Sequence, residues 1–351
     1  QSPYKTRMSQ HLYYNALNRF YQANYGKTES AWNKHHDWHA AWRAVAPEAS
    51  IDPQEEWERL LKHGVRLFLP MDADFPPLLT EIARAPFGLY IVGAYDHTRP
   101  TVALVGTRRA TSEGLRIAKQ FACNLATQGI VVASGLALGI DGAAHAGALT
   151  SGACCATVAV LPCGLDDVYP KSHANLANEI VRTGGALISE YPFGTQSFPL
   201  NFLERNRIVS GISSGTVVIE APVGSGALVT AKLALDQNRE VFAVPGPISH
   251  PNYIGPHRLI KEGACLVTCA EDVCDALGLL YQKSSPISDE MAVRLSPHEQ
   301  LVLAAIKGAG KPLTVDAIAT LTAQNIQTVN RAVAMLIING TLKEQNGAYS
   351  L

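Results

Sequence analysis

The sequence predicts an α/β protein with a parallel sheet at its core, a small helical domain before that sheet and another small domain after it. Between residues 101 and 279, short runs rich in Val, Ile and Leu alternate with segments of helical periodicity. This alternation is typical of βαβ units. The apolar runs are continuous, which indicates strands buried on both faces. We therefore expect helices on both sides of the sheet.

The composition is that of a globular chain whose net charge does not indicate a partner. The 351 residues are 47% hydrophobic, which is enough for two or three domains with buried cores. The formal net charge is −1, so any binding site for an anion has to be local.

The sequence gives no indication of a membrane-spanning helix, a disulfide framework or a metal site. No apolar run reaches the roughly 18 residues of a membrane-spanning helix and no leader pattern is visible, so a cytoplasmic location is expected. The seven cysteines lack CxxC spacing and are expected to be free thiols in a reducing compartment. His35, His36 and His39 have no cysteine or carboxylate partner at metal-ligand spacing, and we expect no metal.

Residues 1–72 are predicted to form the helical domain. Three or four short helices fit the aromatic-rich segments between Ser9 and Gly64, and one of them is expected to begin after an N-cap at Asp52. The proline-rich segment that follows, residues 65–93, is predicted to be a connector into the central domain, residues 73–281.

In the central domain, each apolar run predicts a strand and each helical period predicts a helix. The strands are predicted at residues 102–106, 130–134, 157–161, 186–190, 216–220 and 241–245, with a short edge strand at 265–268. The helices are predicted at residues 112–127, 140–151, 173–183, 203–212, 226–237, 256–262 and 271–278.

The loops after the predicted strands carry small residues and cations, which favours an anion site. Doubly wound sheets bind ligands at the carboxyl ends of their strands. Gly224, Ser225 and Gly226 precede a helix, so their N–H groups would face an anion, and Arg205 and Arg207 lie just upstream. The alternative is a tight turn, with both arginines in surface ion pairs. The absence of GxGxxG and GxxxxGK[ST] motifs argues against a nicotinamide cofactor and a nucleotide triphosphatase.

A polar linker, residues 282–294, and a final domain, residues 295–351, complete the predicted organisation. Ser296 and Glu299 have capping-box spacing before an amphipathic helix. Two more helices and a hairpin around Asn346 and Gly347 follow, which is the winged-helix order. The third helix is poor in cations, which favours protein contact or weak binding over tight duplex binding. Its polar residues are Gln324, Asn325, Gln327, Asn330 and Arg331.

Several strings occur together and in order in the central domain. They are VALVGTRRAT from Val102, SGLALGIDGAAHAGAL from Ser134, LPCGLDDVYP from Leu161, SEYPFG from Ser189, FLERNRIVSGIS from Phe202, SGALVTAKLALDQNREVFAVPG from Ser225 and RLIKEGA from Arg258. As an ordered set they resemble the DNA-processing protein A family, also called DprA or Smf. The flanking domains are similar to the family's sterile-alpha-motif-like and winged-helix domains.

The resemblance implies an extended Rossmann-like central fold that binds single-stranded DNA in a positively charged pocket, without reading its sequence. It also implies a homodimer, a role in loading the RecA recombinase during natural transformation, and no catalytic residue, cofactor or membrane partner. Because phosphates and aromatic stacking are common to every strand, such a site need not read bases.

The resemblance implies which residues of this sequence bind single-stranded DNA. They are Gly106, Thr107, Arg108, Arg109, Ser134, Gly135, Gly139, Lys171, His173, Arg205, Asn206, Arg207, Ser225 and Gly226. Arg108 matches the phosphate-contacting arginine and Lys171 a basic pocket residue. Arg207 either contacts DNA or braces the fold through a buried carboxylate such as Glu190 or Glu220. The aromatic candidates for base stacking, each of which could instead belong to the core, are Tyr169, Tyr191, Phe193 and Phe198, with the core favoured for Phe198.

Two other functions compete with strand binding. The central domain is also similar to lysine-decarboxylase-like phosphoribohydrolases, which carry a PGGxGTxxE loop, whereas this chain reads APVGSGALVTA and has Ala231 and Lys232 near where a carboxylate is wanted. Asp141 or Glu220 could serve as a base there, although structural roles are favoured for both. The third possibility is a duplex-binding regulator that acts through the winged helix.

Overall fold

The chain divides into two units, residues 1–281 and 282–351, and each is described by itself. A computed structural model describes residues 3–280, 296–309, 312–338, 342–345 and 348–350. The predicted linker at 282–294 and the hairpin turn at Asn346 and Gly347 lie outside the described residues. In the described part of the chain, no helix combines the length and the hydropathy needed to cross a membrane.

The N-terminal helices pack directly on the sheet. They are α1 (Pro3–Phe20), α2 (Tyr25–His35), α3 (Trp38–Val45) and α4 (Pro53–Lys62). Asp52 caps α4 by accepting the N–H of Gln54 at 2.8 Å, which confirms the predicted N-cap. Leu17 and Trp38 share one hydrophobic cluster with Tyr90 and Leu187. The predicted boundary at residue 72 therefore falls inside the first unit, and a separately folding helical domain stays a prediction.

The proline-rich segment between these helices and the central domain forms two strands. β1 (Arg66–Phe68) and β2 (Leu89–Gly93) pair antiparallel, with a short helix α5 (Pro77–Thr80) between them. The prediction of a plain connector was wrong. The prolines between the strands dominate the local pattern, whereas Leu89, Tyr90 and Ile91 are buried once β2 meets a distant strand.

The remaining strands follow the apolar runs, as predicted. They are β3 (Thr101–Val105), β4 (Val131–Ser134), β5 (Thr157–Val160), β6 (Ala186–Ser189), β7 (Gly215–Val218), β8 (Glu240–Ala243) and β9 (Cys265–Leu266). Within the described residues, the sheet has nine strands in the order β1-β2-β6-β5-β4-β3-β7-β8-β9. β2 pairs antiparallel with both β1 and β6, and all the pairings from β6 to β9 are parallel.

Helices cover both faces of the sheet. They are α6 (Ser112–Thr127), α7 (Ile140–Thr150), α8 (Ala174–Arg182), α9 (Pro199–Gly211), α10 (Gly226–Asp236), α11 (Ile254–Lys261) and α12 (Ala270–Ala276). Successive residues of β3 point to opposite faces. Val102 and Leu104 accordingly join the cluster under α6 and α7, whereas Ala103 and Val105 join the cluster under α9 and α10. This doubly wound, Rossmann-like arrangement confirms the predicted α/β class.

The order of the strands creates a switch point between β3 and β7. The chain leaves β3 toward β4 on one side of the sheet and later enters β7 on the other. Loops that leave neighbouring strands in opposite directions open a crevice at the carboxyl ends of those strands. The fold therefore places a cleft beside Gly106 and Ala221.

The second unit contains α13 (Pro297–Ala309), α14 (Val315–Thr322) and α15 (Ile326–Ile338), followed by the antiparallel strands β10 (Lys343–Gln345) and β11 (Ala348–Ser350). The predicted capping box is present, because Ser296 N donates to Glu299 Oε2 at 2.8 Å and Glu299 N donates to Ser296 Oγ at 3.3 Å. Val302, Ile318 and Val329 belong to its core.

Candidate functional site

A cavity of about 780 Å³ opens at the switch point of the sheet. The loops after β3, β4 and β7 form its walls, and one side of α9 completes it. Nine of the residues predicted to bind DNA line this cavity, namely Gly106, Thr107, Arg108, Arg109, Gly135, Arg205, Asn206, Ser225 and Gly226. Parallel strands bring these loops together although they are separated by as much as about a third of the chain.

The first turn of α10 presents N–H groups beside the cavity. Ser225 is the N-cap and its hydroxyl accepts the N–H of Ala227 at 3.3 Å. Gly224 has a φ of +77°, a left-handed conformation that other residues rarely adopt, and it turns the chain from β7 into the helix. A helix N-terminus attracts anions through its free N–H groups and its dipole.

An arginine and two aromatic rings cluster at the cavity mouth. The exposed guanidinium of Arg108 lies 4.8 Å from the ring centroid of Phe202, and Tyr169 packs edge-on against Phe202 at 5.4 Å. The contact between Arg108 and Phe202 is a cation–π pair. Sequence reasoning missed Phe202. The predicted helix, residues 203–212, began one residue too late to include it, whereas α9 begins at Pro199 and places Phe202 on the same helix face as Arg205.

Arg205 contributes to the floor of the cavity rather than to its opening. Its side chain is buried, at 4% exposure, and its Nη1 donates to Gly135 O at 2.7 Å and also to Val160 O. A Cβ on Gly135 would lie 2.4 Å from Arg205 Nη2, so a side chain there would displace the guanidinium. Arg205 therefore ties α9 to the ends of β4 and β5.

Asp141 completes this buried polar layer. Its Oδ2 accepts the N–H groups of Gly135 at 3.2 Å and Ala137 at 3.4 Å. Burial raises the pKa of the Asp141 carboxyl, and the nearby Arg205 opposes that rise. Burial likewise lowers the pKa of the Arg205 guanidinium, with Asp141 acting in the opposite direction. The two groups stabilise each other's charged form below the cavity floor.

Arg207 forms the buried ion pair that a bracing role requires. Its Nη2 lies 2.5 Å from Glu190 Oε2, and both side chains are largely buried. The guanidinium also lies 5.8 Å from the ring centroid of Tyr25, at the side of the N-terminal helices. Glu220, the other carboxylate considered, is fully buried and accepts Thr111 N and Asn252 Nδ2, each at 2.9 Å.

The other predicted site residues lie around the cavity without lining it, within the described chain. Ser134 is buried and its hydroxyl donates to Leu104 O at 2.7 Å, and Gly139 is the N-cap of α7 with a φ of +78°. Lys171 is exposed and forms an ion pair with Asp167. His173 Nδ1 lies 2.9 Å from Leu136 O.

The aromatic candidates divide into core and surface. Tyr191 and Phe193 are buried, which removes them from base stacking. Tyr169 is 42% exposed and Phe198 is 57% exposed, so the core position favoured for Phe198 was wrong. Phe198 precedes Pro199, which begins α9, and the helix points this ring outward.

The region that forms this cleft matches the sequence model of a known protein family. The model for DNA recombination-mediator protein A matches residues 66–278. This chain belongs to that family. It is 38% identical to Protein Smf of Escherichia coli strain K12 over 313 residues, which is 86% of this chain and 81% of the relative. It is 40% identical to the DNA processing protein DprA of Streptococcus pneumoniae over 207 residues, 59% of this chain and 72% of the relative.

Solved structures of the DprA family share the fold. The X-ray structure of DNA processing protein A from Streptococcus pneumoniae aligns with a TM-score of 0.60 and 35% identity, over 68% of this chain and 80% of that one. DNA processing protein A from Helicobacter pylori aligns with a TM-score of 0.54 and 27% identity, over 61% of this chain and 95% of that one. The latter is described by its unique single-stranded DNA binding mode.

Proposed function

We propose that this protein binds and protects single-stranded DNA without regard to sequence, and that it helps load the RecA recombinase onto the strand during natural transformation. The observation that carries the proposal is a cleft at the sheet's switch point that combines Arg108, the N-terminus of α10 and the ring of Phe202. The single-stranded DNA binding of the Helicobacter pylori relative supports the choice of ligand.

The two halves of a nucleotide have separate partners in the cleft. Arg108 and Arg109 are exposed, and together with the N–H groups of α10 they suit phosphate oxygens. Phe202 and Tyr169 offer ring faces or edges to a base. Every strand has phosphates and every base has a π-face, so this combination binds without reading sequence.

Exposed apolar side chains around the cleft favour a single strand over a duplex. Leu203 and Val223 line the cavity although they are 46% and 74% exposed. Bases are stacked inside a duplex and cannot cover these side chains, whereas unpaired bases can. An apolar rim on a phosphate site therefore suits unpaired DNA.

We propose a non-catalytic role. Thr230 is the last residue of α10 that lines the cavity. Its hydroxyl donates to Gly226 O at 3.2 Å. Asp141 does line the cavity, but its Oδ2 already accepts N–H groups from the loop after β4. Glu220 is likewise engaged with Thr111 and Asn252. A carboxylate that served as the general base of a nucleotide hydrolase would have to be free to move a proton.

The flanking regions receive proposed roles as well. The helix order of the second unit supports a winged-helix domain, and Leu321 and Ile326, which flank the turn between α14 and α15, are 61% and 52% exposed. These apolar residues suit contact with a protein better than tight duplex binding. We further propose that residues 1–72 are a sterile-alpha-motif-like region and that the protein acts as a homodimer, which places two clefts along one strand.

Fluorescence anisotropy with a labelled single strand and its duplex tests the proposal. We expect tighter binding of the single strand, and we expect Arg108→Ala to weaken it and to reduce the slope of log affinity against log salt by about one phosphate contact. Arg116→Ala is the matched control, because Arg116 is an exposed arginine of α6 paired with Glu113 and does not line the cleft. Equal slopes for both variants would contradict the proposed site.

Two further measurements separate the competing functions. Deleting residues 290–351 should leave strand binding largely intact, whereas a duplex-binding regulator would lose its binding. Incubation with nucleoside monophosphates should release no ribose phosphate. Release that depends on Asp141 would instead support a phosphoribohydrolase.

A further inference from the structure

Two neighbouring cysteines form a thiol pair at the amino ends of the strands, whereas the cleft lies at their carboxyl ends. Cys154 and Cys155 lie in the loop that leads from α7 into β5, at the amino end of that strand. Their sulfur atoms are 3.3 Å apart, Cys154 is exposed and Cys155 is half-buried. Neither residue has a part in the strand-binding function.

The backbone turns both sulfurs to the same side. In an extended chain, successive side chains point in opposite directions. Cys155 instead has a φ of +56°, in the left-handed region that residues other than glycine rarely adopt. The loop is held there by Arg99, whose Nη1 donates to Cys154 O at 3.1 Å and to Cys155 O at 3.3 Å.

The neighbouring loop packs closely against the two thiols. Gly184 lies beneath them, and a Cβ on this glycine would be 2.8 Å from Cys154 Sγ and 3.3 Å from Cys155 Sγ. Cys155 N donates to Thr183 O at 3.3 Å, which fixes this loop against the pair. The backbone of both loops therefore presents the sulfurs side by side.

A direct disulfide between these residues is disfavoured. Adjacent Cα atoms are about 3.8 Å apart across a trans peptide, whereas ordinary disulfides join Cα atoms about 4.4–6.8 Å apart. A disulfide here would be strained and easily reduced. The dithiol form is therefore the stable one in a reducing environment, and an atom inserted between the sulfurs relieves the strain.

The distance between the two sulfur atoms determines which atom can bridge them. Tetrahedral zinc, with bonds of about 2.3 Å to sulfur, holds two sulfurs roughly 3.8 Å apart and takes four ligands. Among the described residues, no group of three or more His, Cys, Asp or Glu side chains is placed to hold a metal. Trivalent arsenic forms a pyramid with bond angles near a right angle, so its sulfur ligands lie closer together and two protein ligands suffice.

We propose that Cys154 and Cys155 form a vicinal dithiol site that chelates trivalent arsenicals of the type R–As=O. In the reaction, two As–S bonds form, the As=O bond and both S–H bonds break, and the oxygen leaves with both protons as water. Arsenic stays trivalent, so no oxidant or reductant is required. Burial and the hydrogen bond with Cys154 raise the pKa of the Cys155 thiol, so this thiol keeps the proton that leaves in the water.

The probe is phenylarsine oxide, added to the reduced full-length protein and followed by intact mass after gel filtration. We expect one retained adduct, the loss of two free thiols and release by 2,3-dimercaptopropanol. Cys154→Ser and Cys155→Ser should each weaken retention by roughly a hundredfold or more, because the second bond no longer forms intramolecularly. Cys265→Ser, which removes another exposed cysteine, is the matched control and should retain the adduct.

Several outcomes would overturn the proposal. They are no retained adduct on the unaltered protein, equal retention by Cys154→Ser, or peptide mapping of the arsenical to Cys269 or Cys274. Binding of single-stranded DNA should be the same with and without the adduct, since the thiol pair lies at the amino ends of the strands and the cleft at their carboxyl ends.

Discussion

The guanidinium of Arg205 donates to the carbonyl oxygen of Gly135 at 2.7 Å, beneath the floor of the cleft. This bond joins α9 to the loop after β4, and the same nitrogen reaches Val160 at the end of β5. Three elements that carry cleft residues are therefore held by one buried side chain. Arg108, by contrast, is exposed at the mouth of the cleft and holds no such elements together.

Arg205→Ala should destabilise the protein as well as weaken strand binding. Hydrogen bonds from a charged group are worth about 1.5–3 kcal/mol each, and the substitution leaves buried carbonyl groups without a donor, so we expect a loss of about 3 kcal/mol. Urea unfolding measures this loss. Arg109→Ala, an exposed neighbour of the same cleft, is the control and should unfold like the original protein. Equal unfolding midpoints for the two variants would show that Arg205 is not a brace.

Glu190→Gln should lower stability without changing the salt dependence of DNA binding. The substitution leaves the buried guanidinium of Arg207 without its counter-charge, and breaking a buried ion pair costs about 3–5 kcal/mol. Because this pair lies away from the cleft, the number of phosphates contacted should not change. Urea unfolding and anisotropy at several salt concentrations test the two parts. A steeper salt slope in Glu190→Gln would assign Arg207 to phosphate instead, because the freed guanidinium would add a phosphate contact.

Phe202→Leu should weaken binding of a normal single strand by about 1–3 kcal/mol, the usual contribution of stacking on an aromatic side chain. A strand without bases has nothing to stack, so the variant and the original protein should bind an abasic oligonucleotide alike. Phe198→Leu serves as the control, because Phe198 is exposed but does not line the cleft. An equal loss on both oligonucleotides would mean that Phe202 acts by positioning Arg108.

His145→Asn should make the protein less sensitive to mild acid. Thr157 donates its hydroxyl hydrogen to Val132 O at 2.6 Å, so Nδ1 of His145 carries the hydrogen that it shares with Thr157 Oγ1 at 2.7 Å. Nε2 is then the site to be protonated, and it is buried without a partner among the described residues. Burial, aided by His173 and Arg205, lowers the pKa of His145 from 6.5 to about 3.

The sign of the pH effect follows from this lowered pKa. The unfolded chain takes up the proton near pH 6.5 and the folded chain does not, so stability is full above pH 6.5 and falls toward pH 3. From pH 7 to pH 5 the histidine should lower the free energy of unfolding by about 2 kcal/mol, and His145→Asn should not show this loss. Urea unfolding at both pH values measures the difference, with the exposed His63→Asn as control. Parallel losses in both variants would contradict the assignment.

Much of the central fold and the position of the cleft could be predicted from the sequence. The strands from β3 to β9 follow apolar runs that have to be buried on both faces, and the glycine-rich loops after them predict where a ligand binds. β1 and β2 could not be predicted in the same way. Their pairing depends on β6, almost a hundred residues away, and the prolines between them dominate the local pattern.

The sequence by itself determined the α/β class, the order of the strands along the chain and the family to which the protein belongs. Only the tertiary structure decided the roles of Arg205 and Arg207. Two residues apart on a helix, their side chains diverge by roughly 200° and meet opposite surroundings. Helical periodicity requires that divergence. The packing of α9 between the ends of β4 and β5 and the N-terminal helices decides which arginine lies at the cleft floor and which pairs with Glu190.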